Sequence, residues 1–200
     1  MVSDKIKTAW EKVLEKMQQM PPVAPGELAR MEYMPQGHRL GAKFMQDKQL
    51  NLKQALAEVS PEQRPYVAEG VQEALLLQLA LPEREEQMEV NRRAMEGLLI
   101  LKQGSPEMVT LLNELEYLFN YYQQALQQTR AGFEREFAAR SRTMRRSVPG
   151  RQAGGGAENK LEQIPGYFEE WSRVLGDLNS RFAGALVELK EKIKSINVPD

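Results

Sequence analysis

The chain's one histidine, His38, lies in Met34-Pro35-Gln36-Gly37-His38-Arg39-Leu40-Gly41-Ala42-Lys43, between two glycines and beside basic residues. Glycines and cations at a helix start can hold an anion through backbone N–H groups. The spacing here is Gly-x-x-x-Gly-x-Lys, which is not the phosphate-loop spacing, and no strand precedes it. The Gly37–His38 segment therefore reads as a close turn between two short helices.

Paired carboxylates are the next chemistry to weigh: Glu85, Glu86 and Glu89, then Glu114 with Glu116, Glu134 with Glu136, and Glu169 with Glu170. Such pairs can hold a hard cation or exchange protons. On a helix, however, neighbours one or two apart point away from each other. None stands in the Asp/Asn-rich spacing of a calcium loop. With Cys 0 and His 1, the chain has no thiolate site, no disulfide and too few imidazoles for a histidine-based triad or an HExxH zinc site. No nucleophile stands with a base. The expectation is a non-enzymatic protein with no cofactor and no metal.

Arginines supply a second candidate. Arg130, Arg135, Arg140, Arg142, Arg145, Arg146 and Arg151 fall in one short stretch, so residues 130–151 carry a net charge of +5 against −6 for residues 60–120. Arginine forks bind phosphate well, and Arg140, Arg142, Arg145, Arg146 and Arg151 are the candidate anion-binding residues for nucleic acid or an anionic membrane. The competing reading is a solvated helix end, where cations offset the negative pole of the dipole. Aromatic interleaving of the kind that stacks bases is absent, because Phe133 and Phe137 belong to the apolar row of their helix.

These groups need elements to position them. Ala, Leu, Glu, Lys, Arg, Gln and Met make up 120 of the 200 residues, and Val, Ile and Thr only 21. Straight-chain residues keep their rotamers in a helix and β-branched ones do not, so the composition predicts an all-α fold. An amphipathic helix is expected over Ser3–Met20, with Ile6, Trp10, Val13, Leu14 and Met17 on one face and Pro21, Pro22 and Pro25 ending it. Residues 26–59 are expected as three short pieces: Glu27–Met34, one after Pro35, and Leu50–Val59. Ser60-Pro61-Glu62, Leu81-Pro82-Glu83 and Ser105-Pro106-Glu107 read as helix starts, Ser60 and Gln63 having capping-box spacing. Pro65 delays the helix that reaches Ala80, and the one from Pro82 stops at Gly104.

From Pro106 to about Arg146 nothing breaks the pattern. Its apolar row runs Leu111, Leu115, Leu118, Tyr122, Leu126, Thr129, Phe133, Phe137, Arg140, Met144. That eleven-residue period predicts a straight or slightly right-handed pairing. After the glycine-rich connection 147–157, a second helix is expected over about 158–196, with Pro165-Gly166 splitting off its first turn. Folding back sets Phe133 near Trp171, Phe137 near Phe168, and Ile193 and Ile196 level with Leu111 and Leu112. The predicted architecture is a short-helix bundle (residues 1–104) on the base of a long antiparallel two-helix hairpin (105–200), forming one cooperative unit.

Two tyrosines fall outside that row. Tyr117 is about 150° and Tyr121 about 110° from its centre, so they mark a second surface that can dock the N-terminal helices or a partner. The functional expectation is a cytoplasmic interaction protein: an adaptor, chaperone or assembly component, self-associating and working through helical faces. Its partner-binding residues are Tyr117, Tyr121, Phe133, Phe137, Phe168 and Trp171. The alternatives are the arginine-rich tip, or a small-ligand site among the N-terminal helices. No apolar run approaches the ~18 residues of a membrane span, and no secretory signal precedes the first helix.

Overall fold

The computed structural model describes residues 25–146 and 161–196, together with Trp10. The helix expected over Ser3–Met20 and the connection 147–157 lie outside the described residues. Among those described there are six α-helices and one 3-10 turn, and no strand. The helices are α1 (Pro25–Gln46), α2 (Leu52–Ala57), α3 (Arg64–Gln78), α4 (Glu85–Leu101), α5 (Pro106–Arg146) and α6 (Tyr167–Ser195), with the 3-10 turn at Leu161–Gln163. The all-α expectation holds, and none of the described helices is long and apolar enough to cross a membrane.

The largest departure from expectation is α1, which runs unbroken through Pro35. An interior proline costs a helix about 3 kcal/mol through a lost hydrogen bond and a ring clash. Pro35 is exposed, on the side of α1 away from α3. The opposite side carries Gly37 and Gly41, which lie directly on α3. A Cβ on Gly37 would sit 2.1 Å from the Val67 carbonyl oxygen, and one on Gly70 would sit 2.3 Å from that of Met34. Backbone-to-backbone packing of this kind carries the helix past its proline, since tertiary contact supplies most helix stability in proteins. The glycines of the Gly37–His38 segment thus permit a close helix crossing, not a turn.

Two boundaries also differ. Ser60 does not cap α3 with its side chain; its carbonyl accepts from the N–H groups of Gln63 and Arg64 at 3.0 Å each, and α3 begins at Arg64 with Pro65 in its first turn. Leu81-Pro82-Glu83 is not a helix start, because α4 begins only at Glu85. The cause is Asn91, fully buried on α4. Its side chain takes the Ala80 N–H at 3.0 Å and gives to the Ala80 carbonyl at 2.7 Å, holding the segment after α3 against α4. The Ser105-Pro106 start is as expected, with Ser105 Oγ accepting from Met108 N–H at 3.2 Å.

Helix C-termini are served by side chains borrowed from other helices. Arg93 of α4 donates to the Phe44 and Asp47 carbonyls at the end of α1 and lies 3.6 Å above the Phe44 ring. Arg64 reaches the Ala57 and Val59 carbonyls after α2. Lys102, just past α4, donates to Ile196, and Gln72 of α3 donates to Lys194 at 3.3 Å, both at the end of α6. Each meets carbonyls that have no partner inside their own helix, and the cations also face the negative pole of the dipole. α4 ends with its own residues: Gln103 and Gly104 take φ +52° and +66°, and Gly104 N–H closes on Leu99.

The main core lies where α3, α4, the first turns of α5 and the last turns of α6 meet, around Leu75, Leu98, Leu115, Phe119 and Ile193, all fully or almost fully buried. A second cluster joins Tyr122 to Leu178 and Phe182, and a third joins Phe133 and Phe137 to Tyr167. Beyond the second cluster, among the described residues, α5 packs on α6 and the 3-10 turn through Phe133 and Phe137.

Candidate interaction surface

Among the six aromatic residues expected to meet a partner, the structure separates seam from surface. Phe133 and Phe137 are buried between α5 and α6, so they hold the arm together and are not available for docking. Phe133 packs on Trp171 with ring centroids 5.4 Å apart, and edge-on to Tyr167 at 5.1 Å. Phe137 meets Tyr167 at 5.3 Å instead of Phe168, because one step along α6 turns the ring by about 100°. Phe168 is thereby left exposed, and Trp171 is half-buried. Sequence spacing does not single out Tyr167: it is the first residue of α6, directly after Gly166, whose φ is +88°.

Tyr117 and Tyr121 lie on the outer face of α5, untouched by α1–α4. They are 73% and 55% exposed, and their rings stack 6.3 Å apart at an interplanar angle of 9°. Tyr121 leans on Phe182 of α6 at 5.6 Å, which ties the pair to the second core cluster. Beside them a groove of about 520 Å³ runs between α5 and α6, with Tyr117 and Leu118 on one wall, Ala185 and Leu189 on the other, and Glu114, Glu188 and Lys192 at its rim. Lys192 holds Glu188 at 2.8 Å; that contact lowers the glutamate's pKa and, with the Glu114 charge nearby, raises the lysine's.

Underneath, the two helices are pinned by a polar relay. Tyr122 donates to Asn179 at 2.6 Å, and Asn179 donates to Glu83 at 3.1 Å, joining α5, α6 and the segment before α4. Burial, with the Glu83 charge, pushes the Tyr122 hydroxyl up to about 12. The tyrosine face is therefore mounted on a rigid base.

The arginines divide likewise. Arg140 is held by Glu170 at 2.6 Å, and Arg130 by Glu134 and Glu162 at 3.0 and 3.3 Å, so both close the arm's own seam. Arg142 is exposed. The side chains of Arg145 and Arg146, and all of Arg151, lie outside the described residues. Among the described residues no group of three or more His, Cys, Asp or Glu side chains could hold a metal ion. His38 instead contacts Glu73 of α3 at 3.2 Å.

No curated protein and no solved structure matches the chain. A family model does match over residues 53–195, which takes in α3 to α6 and so the whole of the groove and the tyrosine face, and the chain belongs to that family, one of unknown function (DUF6657).

Proposed function

We propose that this chain is a non-enzymatic interaction protein, an adaptor or assembly component, that docks a helical partner on the outer face of α5. The observation that carries the reading is the exposed, parallel Tyr117–Tyr121 stack beside the α5–α6 groove. Large aromatic rings left in water on a helix whose other side is core are interface material: they bring apolar area and a hydrogen-bonding tip at small entropic cost. Because Phe182 and the Tyr122–Asn179 contact fix the base beneath them, little further ordering opposes binding. Ala185 on the groove's far wall leaves room for a partner side chain between the helices.

The test is Tyr117→Ala combined with Tyr121→Ala, with unfolding and complex size in native extract as the two readouts. The reading expects unfolding within about 0.5 kcal/mol of wild type, as for exposed positions, and loss of the higher-mass species. Unchanged complexes in a normally folded variant would contradict it.

A further inference from the structure

The stripe of α5 that carries the tyrosines continues along the whole helix, and its two ends have opposite charge. Between Pro106 and Thr129, α5 contains Glu107, Glu114 and Glu116 and no basic residue; from Arg130 to Arg146 it contains six arginines. At 100° per residue, Glu107, Glu114, Tyr117, Tyr121, Gly132, Arg135 and Arg142 all fall within about a third of the circumference, away from the buried face. All are exposed except Gly132, which is half-buried. Among the described residues Arg135, Arg142 and Glu107 meet no side chain of opposite charge within ion-pair distance, and Arg135 bonds only the Ala131 carbonyl of its own helix.

We propose that this stripe pairs with the same stripe of a second copy of the chain, antiparallel, about a two-fold axis near Gln124. The proposal rests on the reading of the tyrosine face as an interface and names its partner. The register that sets Glu107 opposite the partner copy's arginine at position 142 also sets Glu114 opposite position 135 and Tyr117 opposite position 132. Position 132 is glycine, and a Cβ built there would meet nothing within 4 Å, so the helix surface under the incoming tyrosine ring is bare. A two-fold axis repeats each contact, giving four crossed ion pairs and two tyrosine–glycine contacts along about 50 Å of helix. Parallel pairing would instead oppose glutamate to glutamate and arginine to arginine. Charge complementarity thus selects both the occupant and its direction.

The decisive experiment is sedimentation of two charge-altered chains, alone and mixed. One carries Glu107→Arg and Glu114→Arg, making its stripe wholly basic; the other carries Arg135→Glu and Arg142→Glu, making its stripe wholly acidic. All four positions are exposed, and circular dichroism verifies that each chain folds. Wild type is expected to dimerise, each altered chain alone to associate more than about a hundredfold more weakly, and an equimolar mixture to recover the dimer. Gly132→Leu is expected to weaken the wild-type dimer while leaving the helical circular-dichroism signal of the folded chain unchanged. Wild type monomeric at every concentration, or a mixture no tighter than its parts, overturns the pairing. The tyrosine face would still stand as an interface in that event if a photoreactive residue at position 117 captured a different protein, and would fall if it captured none.

Discussion

Lys102, 1% exposed, gives its ammonium to the carbonyl of Ile196, ninety-four residues along the chain, and so seals the α4–α5 corner against the end of α6. Burial drags the lysine's pKa from 10.5 down to about 8. Between those values the unfolded chain holds a proton that the folded chain has released, so stability rises with pH above about 8 and is lost as pH falls back through 8. Lys190, lowered by burial, acts in the same direction. Above about pH 10 Tyr122 opposes both, since its raised value makes the unfolded phenol ionise first. Thermal melts from about pH 8 to pH 9.5 should therefore show a rising Tm, most of which Lys102→Met removes. A flat or falling Tm in wild type would contradict this role.

Asn91 is a harsher test of the same borrowed capping. Asn91→Leu would strip partners from both the N–H and the carbonyl of Ala80 in a part-buried setting. The expected loss is about 2–4 kcal/mol in urea unfolding, since each unpaired buried group costs roughly 1–3 kcal/mol. Asn91→Asp should fall in the same range, because a carboxylate cannot donate to the Ala80 carbonyl. A loss below about 0.5 kcal/mol for either would show that water replaces the amide.

The glycines divide into two groups with opposite expected signs. Gly70→Ala would drive a Cβ to 2.3 Å from a backbone oxygen of α1, so α1 must move away, at a cost of about 3 kcal/mol. Gly176→Ala on α6 meets nothing within 4 Å and should stabilise by about 0.5–1 kcal/mol through helix propensity alone. Chemical unfolding of the two variants checks the pair. Equal effects would mean that the α1–α3 crossing is looser than described.

The residues that proved legible in the sequence are those whose neighbours follow from spacing on one helix. The three- and four-residue steps through Leu111, Leu115, Tyr122, Phe133 and Phe137 name the buried face of α5 correctly, and Tyr117 and Tyr121 fall outside it as the wheel requires. Pro106 and Gly104 mark ends because proline and positive φ act locally. What could not be read is what depends on distant chain. α1 survives Pro35 only because Gly37 lies on Gly70, and no feature near Pro35 reports that. Asn91 and Lys102 look like surface polar residues until their carbonyl partners are known. Phe133 and Phe137 were expected at an interface because an arm with a narrow seam looks incomplete. Tyr167, displaced by the Gly166 turn, completes it.

The arm beyond Tyr122 should also unfold separately from the body. Its seam is the Phe133, Phe137, Tyr167 and Trp171 cluster, with Arg130–Glu162 and Arg140–Glu170 across it. Exposed ion pairs of this kind add little, so the rings carry the stability. Phe133→Ala should cost the arm about 3–5 kcal/mol. In hydrogen exchange, residues 126–143 and 161–174 would then lose protection while α3 and α4 keep theirs. Uniform loss throughout would show that arm and body unfold as one unit.

Whether the tyrosine face is an interface is decided by photo-cross-linking in the native host, with benzoylphenylalanine in place of Tyr117 in one strain and in place of Leu77 in another. Both positions are highly exposed, at 73% and 79%, but only the first lies on the tyrosine face. A discrete protein adduct, to a second copy or to another helical protein, is expected from position 117 and not from position 77. Equal labelling from both positions, or none from 117 in a folded and expressed chain, would contradict it.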